Sequence, residues 1–368
     1  MVNFSPQNAC MKKLFVLYLI LLSSICFAQE HKTENLIIIT MDGMRWQEVF
    51  GGIDAWIVQD KYFTRDSAGI EMTLGGPDRA ERRKKLFPFF WSTIATEGQL
   101  YGDRYAGSEV DNSNPYKFSY PGYNEIFTGY SDSAVNSNNK IRNWNTNVLE
   151  FIGGKPGYHG RIAAFTTWEL FPYILNKWRS GIYVNADVDS LKFNNPALKL
   201  INEMQFLEAK PLDYRIDLLT YFAAREYLKA YKPKVLYIAF AETDNYAHAG
   251  EYDQYLKSAH AEDGMIRDLW NTVQAMPEYR NKTTLLITSD HGRGDQIKEQ
   301  WKDHGVKITD AGHIWIAVMG PDTQAGGIVK TATPLLQKQI APTLAALLGF
   351  HFVPDKGSSE PIMNMISR

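Results

Sequence analysis

Apolar positions along this chain fall into two kinds of run. The first kind is short, continuous and rich in β-branched residues: LIIIT (36–40), RIAAFT (161–166), VLYIAF (235–240), TTLLITS (283–289) and IWIAVMG (314–320). Runs without polar alternation, bounded by turn residues, predict strands covered on both faces. The second kind has helical spacing, at 87–97, 213–230, 252–276 and 335–348. Strand-like and helix-like runs alternate, which predicts an α/β fold with a mainly parallel central sheet covered by helices on both faces. Residues 54–83 are polar and mixed, and predict an insertion at the sheet's edge. Residues 112–129 start as a turn-rich loop and become helical near Tyr123. No linker or internal repeat interrupts the pattern, so 29–368 reads as a single domain.

Composition narrows the class. With 368 residues, 45% apolar and 13% aromatic, the chain has ample material for a packed core, and its net charge of −2 offers no basic field for a nucleic-acid polymer. At the amino end, Met11-Lys12-Lys13 precedes LFVLYLILLSSICFA, a short apolar stretch ending in small residues. That is the pattern of a secretory signal peptide over 1–28, cleaved after Ala28, with Met11 a plausible start. It is short for a membrane span, so membrane contact is expected only during export, to the periplasm or the extracellular space. Both cysteines, Cys10 and Cys26, lie in this segment. The mature chain would then hold no disulfide, thiol nucleophile or thiolate metal site.

The chemistry gathers where strand-like runs stop. LIIIT leads into Met41-Asp42-Gly43, VLYIAF into AETDNYAHAG with Asp244 and His248, and TTLLITS into Asp290-His291-Gly292. Asp303-His304-Gly305 and His313 follow. One Asp-Gly pair is an ordinary turn, yet three strand ends carry carboxylates, at the sheet edge where α/β folds bind ligands. The four-residue spacing of Asp244 and His248 lets both face one point if a helical turn begins there. Oxygen and imidazole donors without sulfur suit Zn²⁺, with Mn²⁺ a possible substitute, and the donors suffice for two ions. Two neighbouring ions can clamp the attacking and leaving oxygens of a phosphoryl transfer. Ser119, in KFSYPGYNEIFTG ahead of a helix start, is the candidate nucleophile.

Taken together, MDGMRW, SYPGYNEIFTG, AETDNYAH, SDHG and IAPTLAALLG resemble the alkaline phosphatase superfamily, and within it the nucleotide pyrophosphatase/phosphodiesterase branch. The resemblance implies a secreted or membrane-attached two-zinc phosphoester hydrolase working through a phosphoseryl intermediate on a small phosphorylated substrate, a nucleotide or a lipid phosphoester. It implies that Asp42, Ser119, Asp290 and His291 hold one ion, and that Asp244, His248 and a further histidine hold the other. His313 adjoins a strand, but the His-Gly pair ahead of the run into Gly320-Pro321 favours His304. An asparagine after the nucleophile helix would bind a phosphate oxygen; AVNSNNK offers Asn136, Asn138 and Asn139, and Asn138 is chosen. Two departures stand out: the branch usually has threonine where this chain has Ser119, and the Lys-x-Arg pair of some monoesterases is replaced by Thr167-Trp168-Glu169. A phosphomonoesterase, a phosphomutase and a non-catalytic binding protein are the alternatives. The aromatic segments 165–183 and 116–130 would stack a base, line a lipid pocket or simply fill the core.

Overall fold

The structure, a computed structural model, describes residues 31–208 and 214–366. The expected signal peptide, and the start of the helix expected from Asp213, lie outside the described residues. Among these, no helix is long and apolar enough to cross a membrane.

The strands in chain order are β1 (Asn35–Met41), β2 (Gln99–Tyr101), β3 (Val110–Asp111), β4 (Ile162–Thr166), β5 (Tyr183–Ala186), β6 (Val235–Phe240), β7 (Thr283–Thr288), β8 (Ile316–Met319), β9 (Gly327–Ile328) and β10 (Leu335–Leu336). Eight of them make one sheet in the order β5-β4-β6-β1-β7-β8-β2-β9, and β3 pairs with β10 apart from it. β8 runs against its neighbours β7 and β2, and every other pairing is parallel.

β1 shows why the apolar run does not alternate. Its side chains point to opposite faces in turn, and each face meets a different core. Ile37, Ile39 and Met41 pack in one cluster, while Leu36 and Ile38 pack in the other. The first cluster is closed by the helices Asp217–Tyr231 and Tyr252–Ala275, which contribute Ala224, Leu228, Leu256 and Leu269. The second is closed by the helices Ser119–Thr128, Val148–Gly153 and Ile340–Leu347. An α/β sheet covered on both faces results, as expected.

Three local expectations need correction. Residues 54–83 are more than an edge insertion: the helices Ala55–Gln59 and Ser67–Leu74 send Ile57, Val58, Ile70 and Leu74 into the first core. The segment 335–348 is α-helical only from Ile340, after a 3-10 turn over Gln337–Gln339, because Leu335 and Leu336 pair with Val110 and Asp111, and Gln337 is drawn into the site. Helix begins at Ser119 rather than near Tyr123, since Phe118 is extended and Ser119 already sits in the first turn. Half of the aromatics in the two aromatic segments are buried in the core, where Tyr123, Phe127 and Phe171 pack edge to face or tilted against one another or against Tyr237 of β6.

Candidate active site

β6, β1 and β7 are adjacent and parallel, so their carboxyl ends fall at one edge of the sheet. Asp42 follows β1 directly, Asp290 lies two residues beyond β7, and Asp244 and His248 sit one turn apart on the short helix Glu242–His248 after β6. Two glycines permit the approach. At Gly43, with φ +57°, an added Cβ would lie 2.7 Å from Asp244 Oδ1; at Gly122 it would lie 2.4 Å from the Asp290 carbonyl oxygen.

One half of the site is sealed. Asp42, Asp290 and His291 are at most 3% exposed. Tyr123 Oη donates to Asp42 Oδ2 at 2.8 Å, and Gly43 N–H donates to Asp290 Oδ1 at 3.0 Å. The remaining oxygens, Asp42 Oδ1 and Asp290 Oδ2, are buried without a hydrogen-bond partner. Both converge on His291 Nε2, at 3.5 and 3.4 Å, and Ser119 Oγ lies 3.5 Å from the same nitrogen. His291 Nδ1 faces the Gly292 carbonyl at 3.0 Å; a carbonyl only accepts, so the ring proton belongs on Nδ1 and Nε2 is bare. Burying an unpaired carboxylate oxygen is costly, and here two of them meet a bare nitrogen and a hydroxyl. A tetrahedral zinc with bonds of about 2.0–2.2 Å keeps its ligands about 3.3 Å apart. The spacing and the donor chemistry therefore fit a divalent cation.

The other half is open. His248 Nε2 lies 3.3 Å from Asp244 Oδ2 and 2.9 Å from His304 Nε2, and His304 Nε2 lies 3.8 Å from Asp244 Oδ1. His304 Nδ1 donates to the Lys117 carbonyl at 3.2 Å, which again leaves Nε2 bare. Lys117 holds a left-handed φ of +53° two residues before Ser119, and its N–H is held by Asn114 Oδ1 at 2.9 Å. The loop that leads into Ser119 and this histidine are thus tied together. Asp244, His291 and His304 also have donor atoms close enough to share an ion, so His291 stands between the halves, 3.8 Å from Asp244 Oδ1.

Charges differ accordingly. Burial pushes the Asp42 carboxyl well up, and Asp290 and Asp244 add to the shift. Burial likewise lifts Asp290 to about 7. Asp244 behaves in the opposite way: burial alone would raise it, but the Arg293 guanidinium, with His248 and His304, holds it well below the usual carboxylate range. Arg293 is fully buried, grips Asp244 Oδ1 and donates to the Gly43 carbonyl at 3.2 Å. Burial holds His291 low and takes His304 down to about 4, so both rings are neutral at neutral pH, the form that binds a metal.

Ser119 opens the ten-residue helix Ser119–Thr128, which places its hydroxyl at the positive end of the helix dipole. Asn138 Oδ1 accepts from Tyr120 N–H at 3.0 Å, and Asn138 shares with Ser119 the wall of a cavity of about 320 Å³. Asn136 and Asn139 line a separate hollow beside Trp144. His313 is turned away, bridged to Asp111 on the β3 side. The seven expected ligand residues and Asn138 are therefore brought together, and His313 is not among them. Arg293, Tyr123, Lys117 and Gln337, which donates to the Asp290 carbonyl at 2.7 Å, went unnoticed in the sequence. Only Arg293 offered a signal, as a charged residue next to Asp290-His291-Gly292.

Solved structures share this architecture. Wild-type alkaline phosphatase PafA superposes with a TM-score of 0.60 at 10% identity, over 91% of this chain and 99% of that one. A murine ectonucleotide pyrophosphatase/phosphodiesterase 5, in an inactive form complexed with AMP, gives 0.56 at 12% identity, over 91% and 100%. The fold is that of the alkaline phosphatase superfamily. The family profile of type I phosphodiesterases/nucleotide pyrophosphatases matches residues 56–321, and the chain belongs to that family. A 2,3-bisphosphoglycerate-independent phosphoglycerate mutase of Haloarcula marismortui is 26% identical over 140 residues, 38% of this chain; the chain spans a quarter of that relative's length.

Proposed function

We propose that this chain is a metal-dependent phosphoester hydrolase that cleaves small phosphodiesters, nucleotide or lipid esters, through a phosphoseryl intermediate at Ser119. The observation that carries this reading is the convergence of two unpartnered buried carboxylate oxygens and a bare imidazole nitrogen beside a hydroxyl at a helix start. Asp42, Asp290, His291 and Ser119 would hold one divalent cation, and Asp244, His248 and His304 the other, most simply zinc. Such ions would supply charge neutralisation at the phosphoryl oxygens and a lowered pKa at the serine hydroxyl.

The chain's own groups do the rest. Ser119 Oγ gives up its proton and attacks phosphorus, an O–P bond forms, and the ester oxygen opposite leaves with the bonding pair and takes up one proton, so the leaving alcohol carries away the equivalent of the serine's proton. Water then cleaves the seryl phosphate, returning the hydroxyl. The Asn138 amide is anchored through its oxygen by Tyr120 N–H and lines the cavity, so its N–H₂ would be the group to hold a phosphoryl oxygen. The helix amides at Ser119 add positive potential. Thr167-Trp168-Glu169, where a Lys-x-Arg pair would serve a dianionic monoester, favours diesters. The likeness to a phosphoglycerate mutase supports a second reading, a phosphomutase, in which the seryl phosphate passes to an alcohol rather than to water. The amino-terminal pattern supports export, with the mature chain starting near Gln29.

Hydrolysis of p-nitrophenyl phosphate and bis(p-nitrophenyl) phosphate, before and after chelation and zinc repletion, tests the reading. Diester turnover should vanish on chelation and return with zinc. Ser119→Ala should abolish it while retaining zinc. Turnover at the wild-type rate by Ser119→Ala would sink the phosphoseryl route, and full activity in verified metal-free protein would sink metal dependence.

A further inference from the structure

Glu125 belongs to the segment that supplies Ser119, yet the reaction makes no use of it. It sits six residues further along the helix Ser119–Thr128, about 9 Å up the axis, and has no place in the cavity wall. Its carboxylate is fully buried, and four donors fill its two oxygens. Oε1 accepts from Ser113 N–H at 2.8 Å and from Lys338 N–H at 3.1 Å. Oε2 accepts from Asn114 N–H at 2.9 Å and from Asn114 Nδ2 at 2.8 Å. All four aim at lone pairs, which is the environment of an ionised, acceptor-only carboxylate.

Asn114, also buried, carries the constraint onward. Its N–H₂ is committed to Glu125, so its oxygen faces the other way and accepts from Tyr116 N–H at 3.1 Å and Lys117 N–H at 2.9 Å. These bonds close the turn in which Lys117 takes its left-handed φ of +53°. From Lys117 one path runs through the carbonyl to His304 Nδ1, at 3.2 Å, and the other runs along the backbone to Ser119. The bond from Lys338 ties in a third segment, whose Gln337 donates to the Asp290 carbonyl at 2.7 Å. We infer that Glu125 is a positioning residue of this site, which sets the direction of Ser119 Oγ and of the His304 ring through Asn114 and Lys117 without touching substrate. The inference goes beyond the hydrolase reading above and rests on it only for what the positioned groups then do. A neutral amide cannot take the place of the carboxylate. Whichever way a glutamine side chain faced, its N–H₂ would meet two of the four donors and leave them unsatisfied.

The test substitutes Glu125→Gln and reads the site in two ways. In zinc-loaded protein, kcat for bis(p-nitrophenyl) phosphate, per folded molecule, should fall about 30-fold, in the range for supports one step behind a ligand. KM should stay within about twofold, because the cavity wall is untouched. In metal-free protein, nitrogen-15 NMR should show the His304 Nδ1–H resonance, assigned by its loss in His304→Ala, shifted or lost to exchange with water. Asn114→Asp alone should be worse still, since it sets two carboxylates face to face. Combined with Glu125→Gln it should recover about tenfold in kcat, because the glutamine N–H₂ then donates to the new carboxylate and the path to Lys117 is remade. Asn114→Ala cuts the same path and carries the test if Glu125→Gln does not fold; it should give the same kcat loss and the same NMR change. A lowered melting temperature with wild-type kcat and an unmoved His304 resonance, in either variant, would leave Glu125 a purely structural role and overturn the inference. Absence of diester turnover in the wild-type protein, with the His304 resonance still lost in Glu125→Gln, would count against the hydrolase reading and uphold the positioning.

Discussion

The two halves of the site use the same donor types in opposite settings. Around Asp42, Asp290 and His291 the side chains are sealed and the carboxyl groups are pushed up by burial. Around Asp244, His248 and His304 the carboxyl group is held down by Arg293, and the His248 side chain is 48% exposed. A sealed half with two proton-hungry carboxyls is satisfied only by a cation or by protons. The open half already has a guanidinium in place. On the proposed two-ion reading, the sealed half would carry the tighter, more pH-sensitive ion, and the open half would exchange its ion with solvent.

The largest expected effect comes from breaking the sealed half. Asp290→Asn or Asp42→Asn should lose the ion there and reduce turnover by on the order of 10³-fold. Added zinc should not rescue, because the anionic ligand itself is gone. Metal analysis of the purified variants checks this, and retention of full metal with near-normal rates would show that the unpartnered oxygens are not ligands.

The open half should yield more gently. His304→Ala should lower zinc occupancy there and slow turnover by roughly 10–100-fold, with partial recovery in excess zinc. His248→Ala should do less, since its ring is half in solvent. His313→Ala should change neither metal content nor rate by a measurable amount. A reversed order of His304 and His313 would mean that the histidine beside Asp244 is not the working ligand.

The smallest signal is the most discriminating. Asp290 has a folded value of about 7 against an ordinary 3.8, so in metal-free protein its bound proton favours folding below about pH 4. That contribution is lost as pH rises through 7. Zinc entering the sealed half must displace this proton, so its affinity there should climb as pH rises toward 7. Calorimetry at pH 6 in buffers of different ionisation enthalpy should show about one proton or more released by His304→Ala, which keeps the sealed half. Asp290→Asn, which keeps the open half with its depressed Asp244, should release fewer. Equal release from both would erase the distinction between the halves.

What could be read beforehand follows from packing. β1, β6 and β7 lie in the middle of the sheet, so each is an unbroken apolar run and the aspartates after them stand out. β2, β5, β9 and β10 have two to four residues each, too short to show a period, and were not foreseen. Ser119, Asp290 and His304 were legible as residue types in suggestive places. Lys117 was not, because its part is played by a carbonyl and a backbone torsion. Gln337 was hidden inside what looked like an amphipathic helix. Arg293 stood out as a charge beside Asp290-His291-Gly292, but its partner Asp244 lies 49 residues away, and a separation of that kind leaves no local pattern.

β1 lies between two strands that arrive much later in the chain, with Leu36 opposite Val235 on one side and Asn35 opposite Thr283 on the other. During synthesis it therefore waits, an apolar strand with both edges unpaired until about half of the polypeptide has followed, and with one edge open until β7 arrives. Closing loops of that length is slow compared with local helix formation, and open apolar edges invite association with other chains. For this fold the yield of native protein should depend on how long β1 is kept from the wrong neighbours, and refolding from denaturant should improve at low protein concentration more than most single substitutions would improve it.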